Sequence, residues 1–87
     1  MILFHVSTNS KAKRYIQSGC ILSPVRGFTT LTGAMAWAMK SGRNIIYEIE
    51  GDKAYKLPDH HNIYGEAWWF DENITKYKCV FSAEKDA

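Results

Sequence analysis

The sequence predicts an α+β domain: a small, mostly antiparallel sheet with two helices packed on it, both from the N-terminal half. Three observations carry this. Two segments with helical spacing lie before residue 43, and each is followed by a glycine, Gly19 and Gly42. Period-two alternation takes over from residue 44. Helices come first and strands dominate later, which is not the alternating strand–helix order of a parallel sheet. At 87 residues the chain is expected to form one domain over 1–87, with 83–87 as a flexible tail.

The elements follow in order. Residues 2–6, with Ile2, Leu3, Phe4 and Val6 around His5, read as a first strand buried on both faces. Residues 7–10, Ser-Thr-Asn-Ser, offer capping side chains for a helix from about Ser10 to Ser18, on which Ala12, Tyr15 and Ile16 recur at helical spacing. Gly19 ends it. Residues 20–22 suit a brief extended piece. Residues 23–27, Ser-Pro-Val-Arg-Gly, read as a loop.

Residues 28–32 favour β structure and lead into a second helix, with Thr32 as the expected N-cap. On this helix Ala34, Trp37 and Ala38 share one face, with Met35 and Met39 adjacent; these read as core. The clearest strand is 44–51, where Ile45, Tyr47 and Ile49 alternate with Ile46, Glu48 and Glu50, and the two glutamates are expected to face water. A turn at Gly51 and Asp52 precedes a short return strand over 53–57. Residues 58–65 form a polar loop. Residues 66–70 and 75–81 read as the last strands, the latter with Tyr77, Cys79 and Phe81 on one face.

Composition narrows the function classes. A hydrophobic fraction of 46% and a charged fraction of 23% describe a globular chain and exclude a disordered one. A net charge of +2 with no dense basic block argues against nucleic acid as a partner, and Lys11, Lys13 and Arg14 read as a solvated helix face. No apolar run approaches the ~20 residues of a membrane span, and the first residues lack the pattern of a secretion signal. The expectation is a cytoplasmic protein that is not attached to a membrane. Its two cysteines, Cys20 and Cys79, are expected to be reduced and to act as small buried hydrophobes.

Several side chains invite a chemical reading. His5 is either a histidine satisfied within the core or a ligand-binding group at the floor of a pocket. His60 and His61 follow Asp59, but adjacent histidines in a polar loop share no fixed geometry, so a solvated loop is preferred and no metal is expected. Trp68 and Trp69 point to opposite faces of a strand. One can enter the core; the other must be exposed or covered, and an exposed tryptophan is a frequent anchor for a protein partner.

Set together, FHVS at 4–7, AKRYIQSG at 12–19, FTTLTGAMAWAM at 28–39, IIYEIE at 45–50 and GEAWWFDENI at 65–74 resemble the small ADP-ribosyltransferase-like domains, a group that also includes the RNA 2′-phosphotransferases. The resemblance spans most of the chain. It implies an α+β fold that binds NAD by its nicotinamide end. A histidine on the first strand, a hydroxyl in the middle of the domain and a later glutamate carry the chemistry. By match of position, these are His5, Thr29 or Thr30, and Glu66. The implied catalytic set is His5, Thr30 and Glu66; the implied cofactor contacts are His5, Thr29, Tyr47 and Tyr64. The histidine would bond the ribose hydroxyls, and the carboxylate would stabilise the oxocarbenium-like centre as nicotinamide leaves. Tyr47, Tyr64 or Trp68 would supply an aromatic wall. The chain is shorter than catalytic members and lacks a Glu-x-Glu pair at Glu66, which implies a minimal or degenerate member.

Two functions are therefore expected of such a chain. One is binding of NAD or an ADP-ribose-type ligand, with or without turnover. The alternative is a small non-catalytic inhibitor, of the phage or mobile-element kind, that occludes a larger protein through Trp68 and Trp69.

Overall fold

Eight elements follow one another: β1 (Ile2–Ser7), α1 (Asn9–Ser18), β2 (Val25–Phe28), α2 (Leu31–Ser41), β3 (Ile45–Glu50), β4 (Ala54–Lys56), β5 (Ala67–Phe70) and β6 (Lys76–Ser82). The structure is a computed structural model and describes residues 1–58 and 63–83. All six strands join one sheet in the order β4-β5-β2-β1-β3-β6, and every neighbouring pair is antiparallel. The fold is α+β, with both helices in the N-terminal half.

Alternation along β3 separates two cores. Ile45, Tyr47 and Ile49 join Leu3, Ile21, Val25, Phe70 and Ile74 on one face, where α1 contributes Ala12 and Tyr15. Ile46 joins Val6 on the other, where α2 contributes Ala34, Ala38, Met35 and Trp37. The helices thus cover opposite faces, and the central strand β1 is packed from both sides. Phe70 is fully buried in the larger core, and truncating such a ring to alanine costs about 3–5 kcal/mol.

Capping explains where the helices begin. Thr8 caps α1 and its side chain accepts from the Lys11 N–H, so the helix begins at Asn9, one residue before the expected Ser10. Thr30, not Thr32, caps α2: it is extended, and its hydroxyl accepts from the Gly33 N–H at 3.1 Å. Thr32 lies within the first turn, too late to bond an N–H ahead of it. Gly19 and Gly42 close the helices in the left-handed conformation.

Other expectations are corrected too. Residues 25–27, read as loop, belong to β2, because Val25 and Gly27 turn to buried positions and the strand pairs fully with β5. A register shift between Ile46 and Tyr47 inserts a residue in β6, so Phe81 packs with Ile46 on the α2 face while Tyr77 packs on the α1 face. Met39 is 80% exposed, on the outer side of α2. Cys79 is exposed, because no helix covers edge strand β6 where it sits, and Cys20 is half-buried. Of the β3 glutamates, Glu50 faces water, whereas Glu48 is half-buried; they pair with Lys76 and Lys78. No helix among the described residues is long and apolar enough to cross a membrane.

Candidate functional site

The central strands create the site by separating. β1 and β2 are in register at Phe4 and Phe28. Beyond that pair, His5 and Val6 on one strand and Arg26 and Gly27 on the other line an open cleft of about 460 Å³. Phe28, Trp37 and Tyr64 form an aromatic wall, and Leu57 and Ile63 border it. The Tyr64 and Trp37 ring centroids are 5.8 Å apart. Gly33 permits this wall: a Cβ there would collide with the Tyr64 carbonyl oxygen, so only glycine lets the segment before β5 lie against α2.

Three cations line the same cleft from three separate parts of the chain: Lys11 from the start of α1, Arg26 from β2, and Arg43 from the connection between α2 and β3. Among the described residues no carboxylate lines it, and none pairs with these three. Clefts lined by one sign of charge with low-dielectric walls concentrate ions of opposite sign.

His5 forms part of the wall, with both ring nitrogens engaged. Nδ1 lies 2.6 Å from the Arg26 carbonyl oxygen. A carbonyl only accepts, so Nδ1 carries the proton. Nε2, 3.2 Å from the Tyr15 hydroxyl, then accepts from it. Ser7 Oγ donates to the same hydroxyl oxygen at 3.4 Å. Burial lowers the His5 pKa, and Lys11 and Arg43 lower it further; the bond to Arg26 opposes them. Burial thus favours the neutral ring.

No protein-family model, curated protein or solved structure matches the chain.

The structure distributes the other sequence-derived candidates as follows. Tyr64 joins His5 in the cleft. Tyr47 is the register neighbour of His5 but turns into the larger core, where Tyr15 and Tyr77 meet it edge-on at 5.7 and 5.6 Å. Burial, then the neighbouring Cys79, Tyr15 and Tyr77, raise its pKa. Thr29 and Glu66 are held together through the backbone, the Thr29 N–H donating to the Glu66 carbonyl at 3.0 Å. Thr30 caps α2. The Glu66 carboxylate accepts from Trp68 Nε1 at 2.5 Å. Neither Thr30 nor Glu66 lines the cleft, and no hydrogen bond links His5, Thr30 and Glu66 to one another. Trp68 is half-buried against the larger core, and Trp69, on the opposite face, lies against Tyr55. His60 and His61 fall outside the described residues.

Sequence reasoning missed Lys11, Arg26 and Arg43 as a group, and Trp37 as a cleft wall. They are far apart in the chain and converge only through topology. The one local signal was Val-Arg-Gly-Phe itself, whose alternation marks a strand that turns Arg26 and Phe28 to the same face.

Proposed function

We propose that this domain binds NAD or a related ADP-ribose compound in the cleft between β1 and β2. The observation that carries the reading is the coincidence of three cations and an aromatic wall in one cavity without a carboxylate among its described lining. Phosphate takes its charge-assisted bonds from arginine and lysine, and a planar ring such as the nicotinamide of NAD can stack on Trp37 and Tyr64. The volume falls within the range of small-molecule pockets. Each feature alone is common; together they fit a ligand that is anionic at one end and flat at the other.

The reading is one of binding rather than turnover. His5 has no ring nitrogen free for a ribose hydroxyl. The Thr30 hydroxyl serves α2, and the Glu66 carboxylate holds an indole N–H. Those three residues support the domain around the cleft. The protein-occluding alternative has less behind it, because Trp68 packs on the core and leaves Trp69 alone to meet a partner.

Calorimetric titration with NAD and with ADP-ribose at low ionic strength tests the proposal. Saturable binding is expected, and Arg43→Gln should weaken it about 10-fold, the scale of one lost hydrogen bond to a charged group. Absence of binding to either compound at millimolar concentration would sink it.

A further inference from the structure

The α2-side wall of the cleft continues past Arg26. Ladder register sets Tyr55, Trp69 and Arg26 side by side on β4, β5 and β2. Directly paired residues of antiparallel strands project to the same face. Arg26 and Phe28, two apart on β2, share that face as well, and Phe28 packs under α2. The row therefore lies on the α2 side of the sheet. α2 itself packs across β1, β2 and β3, and the row extends beyond it onto β5 and β4. The Tyr55 and Trp69 rings lie 4.9 Å apart and 31° from parallel. Tyr55 is 46% exposed, Trp69 is half-buried and Arg26 is exposed.

A cross-strand aromatic pair steadies a short edge strand, and that accounts for the contact between the rings. It does not account for a guanidinium in the same row, nor for the continuity of that guanidinium with a cationic cleft. Strands are spaced about 4.8 Å apart, so Arg26 and Tyr55 stand about 10 Å from one another across the row. Two flat rings followed by a phosphate-binding cation match a nucleobase and its adjoining phosphate. Sequence-tolerant recognition of bases uses such aromatic surfaces beside basic side chains.

We propose that Tyr55 and Trp69 form a stacking subsite for a nucleobase, with Arg26 holding the adjoining phosphate at the junction with the cleft. This extends the cleft reading and rests on it for the far end of the ligand. The base can come from a free nucleotide, such as the adenine end of ADP-ribose, or from one nucleotide of a single strand.

The full chain and its Trp69→Leu, Tyr55→Ala and Arg43→Gln variants are titrated with AMP, ADP-ribose, ribose 5-phosphate and a hexadeoxyadenylate, followed by calorimetry and tryptophan fluorescence. Trp69→Leu keeps apolar volume at a half-buried position; Tyr55→Ala probes the same subsite from an exposed one, and thermal unfolding checks both. AMP and ADP-ribose should bind about 10-fold more weakly to Trp69→Leu and several-fold more weakly to Tyr55→Ala, while ribose 5-phosphate, which lacks a base, binds these two variants and the unmodified chain alike. Unchanged AMP and ADP-ribose affinity in both folded variants overturns the stacking subsite. Loss in Trp69→Leu but not in Arg43→Gln supports the subsite and defeats the cleft reading; the reverse pattern defeats the subsite alone. Failure of every nucleotide to bind the unmodified chain overturns both. Tighter binding of the hexanucleotide than of AMP, with the same dependence on Trp69, assigns the base to a single strand.

Discussion

His5 Nδ1 donates to the Arg26 carbonyl across 2.6 Å, tying β1 to β2 at the point where the two strands part to form the cleft. The same ring accepts from Tyr15 on the α1 side. One imidazole thus joins strand, strand and helix around the site. In the neutral ring Nε2 accepts from Tyr15; a protonated Nε2 would have to donate to that hydroxyl instead, in a place where burial disfavours the cation.

Stability should therefore fall on acidification. The His5 pKa is lowered from its ordinary 6.5 in the folded chain. The unfolded chain takes up its proton first as pH drops through about 6.5, so the stabilisation is fully present above that value and is lost progressively below it, down to the folded pKa. Urea denaturation at intervals from pH 8 to pH 5 should show a falling midpoint. His5→Asn keeps a donor toward Arg26 but cannot titrate; the fall between pH 7 and 5 should be shallower in it. Equal slopes in both proteins would remove His5 from the explanation.

Tyr15→Phe leaves the ring in place and deletes the hydroxyl that serves both His5 Nε2 and Ser7 Oγ. Ser7 is fully buried and keeps the Thr8 carbonyl, 3.4 Å away, as an alternative acceptor; the part-buried His5 Nε2 is the group that loses its partner. Leaving such a group without a partner costs about 1–3 kcal/mol. A loss of this size in denaturant unfolding, with an unchanged m-value, is expected. A loss below about 0.5 kcal/mol would mean that water replaces the hydroxyl without penalty.

Gly33→Ala separates a stability effect from a site effect. Alanine favours a helix interior by about 1 kcal/mol over glycine, so propensity alone predicts stabilisation. The added Cβ meets the Tyr64 carbonyl oxygen, a backbone atom that cannot turn aside. Net destabilisation and a weakened ligand affinity are expected together, since Tyr64 must move with its backbone. A stabilised variant with intact binding would show that the segment before β5 shifts freely.

The fold was legible in the sequence because its signals are local. Gly19 and Gly42 stop the helices wherever the rest of the chain lies, and the alternation of Ile45 to Glu50 fits one strand register. Thr30 and Thr32 are both good caps, and composition cannot choose between them; in the fold it is the Thr30 hydroxyl that accepts from the Gly33 N–H. Phe81 was misplaced because the register shift that turns it over depends on pairing with β3. The site was less legible for a related reason. His5 and Tyr64 were visible as unusual residues, but Lys11, Arg26 and Arg43 are ordinary surface cations until the parting of β1 from β2 gives them a common cavity.

Glu66 offers the sharpest separation between binding and turnover. A carboxylate that stabilises an oxocarbenium-like centre contributes only in the transition state, so its removal lowers the rate and leaves ligand affinity nearly intact. A carboxylate that holds Trp68 Nε1 instead contributes to the fold, and Glu66→Gln should preserve much of that contact, because the amide oxygen still accepts. The binding reading predicts no release of nicotinamide from NAD above the uncatalysed background in the unmodified chain, unchanged ADP-ribose affinity in Glu66→Gln, and a stability loss within about 1 kcal/mol. Thr30 sharpens the comparison: Thr30→Ala should cost about 1 kcal/mol through the lost cap, while Thr30→Ser restores it. Nicotinamide release that depends on Glu66 or Thr30, at equal ligand affinity, would instead make this cleft a catalytic one.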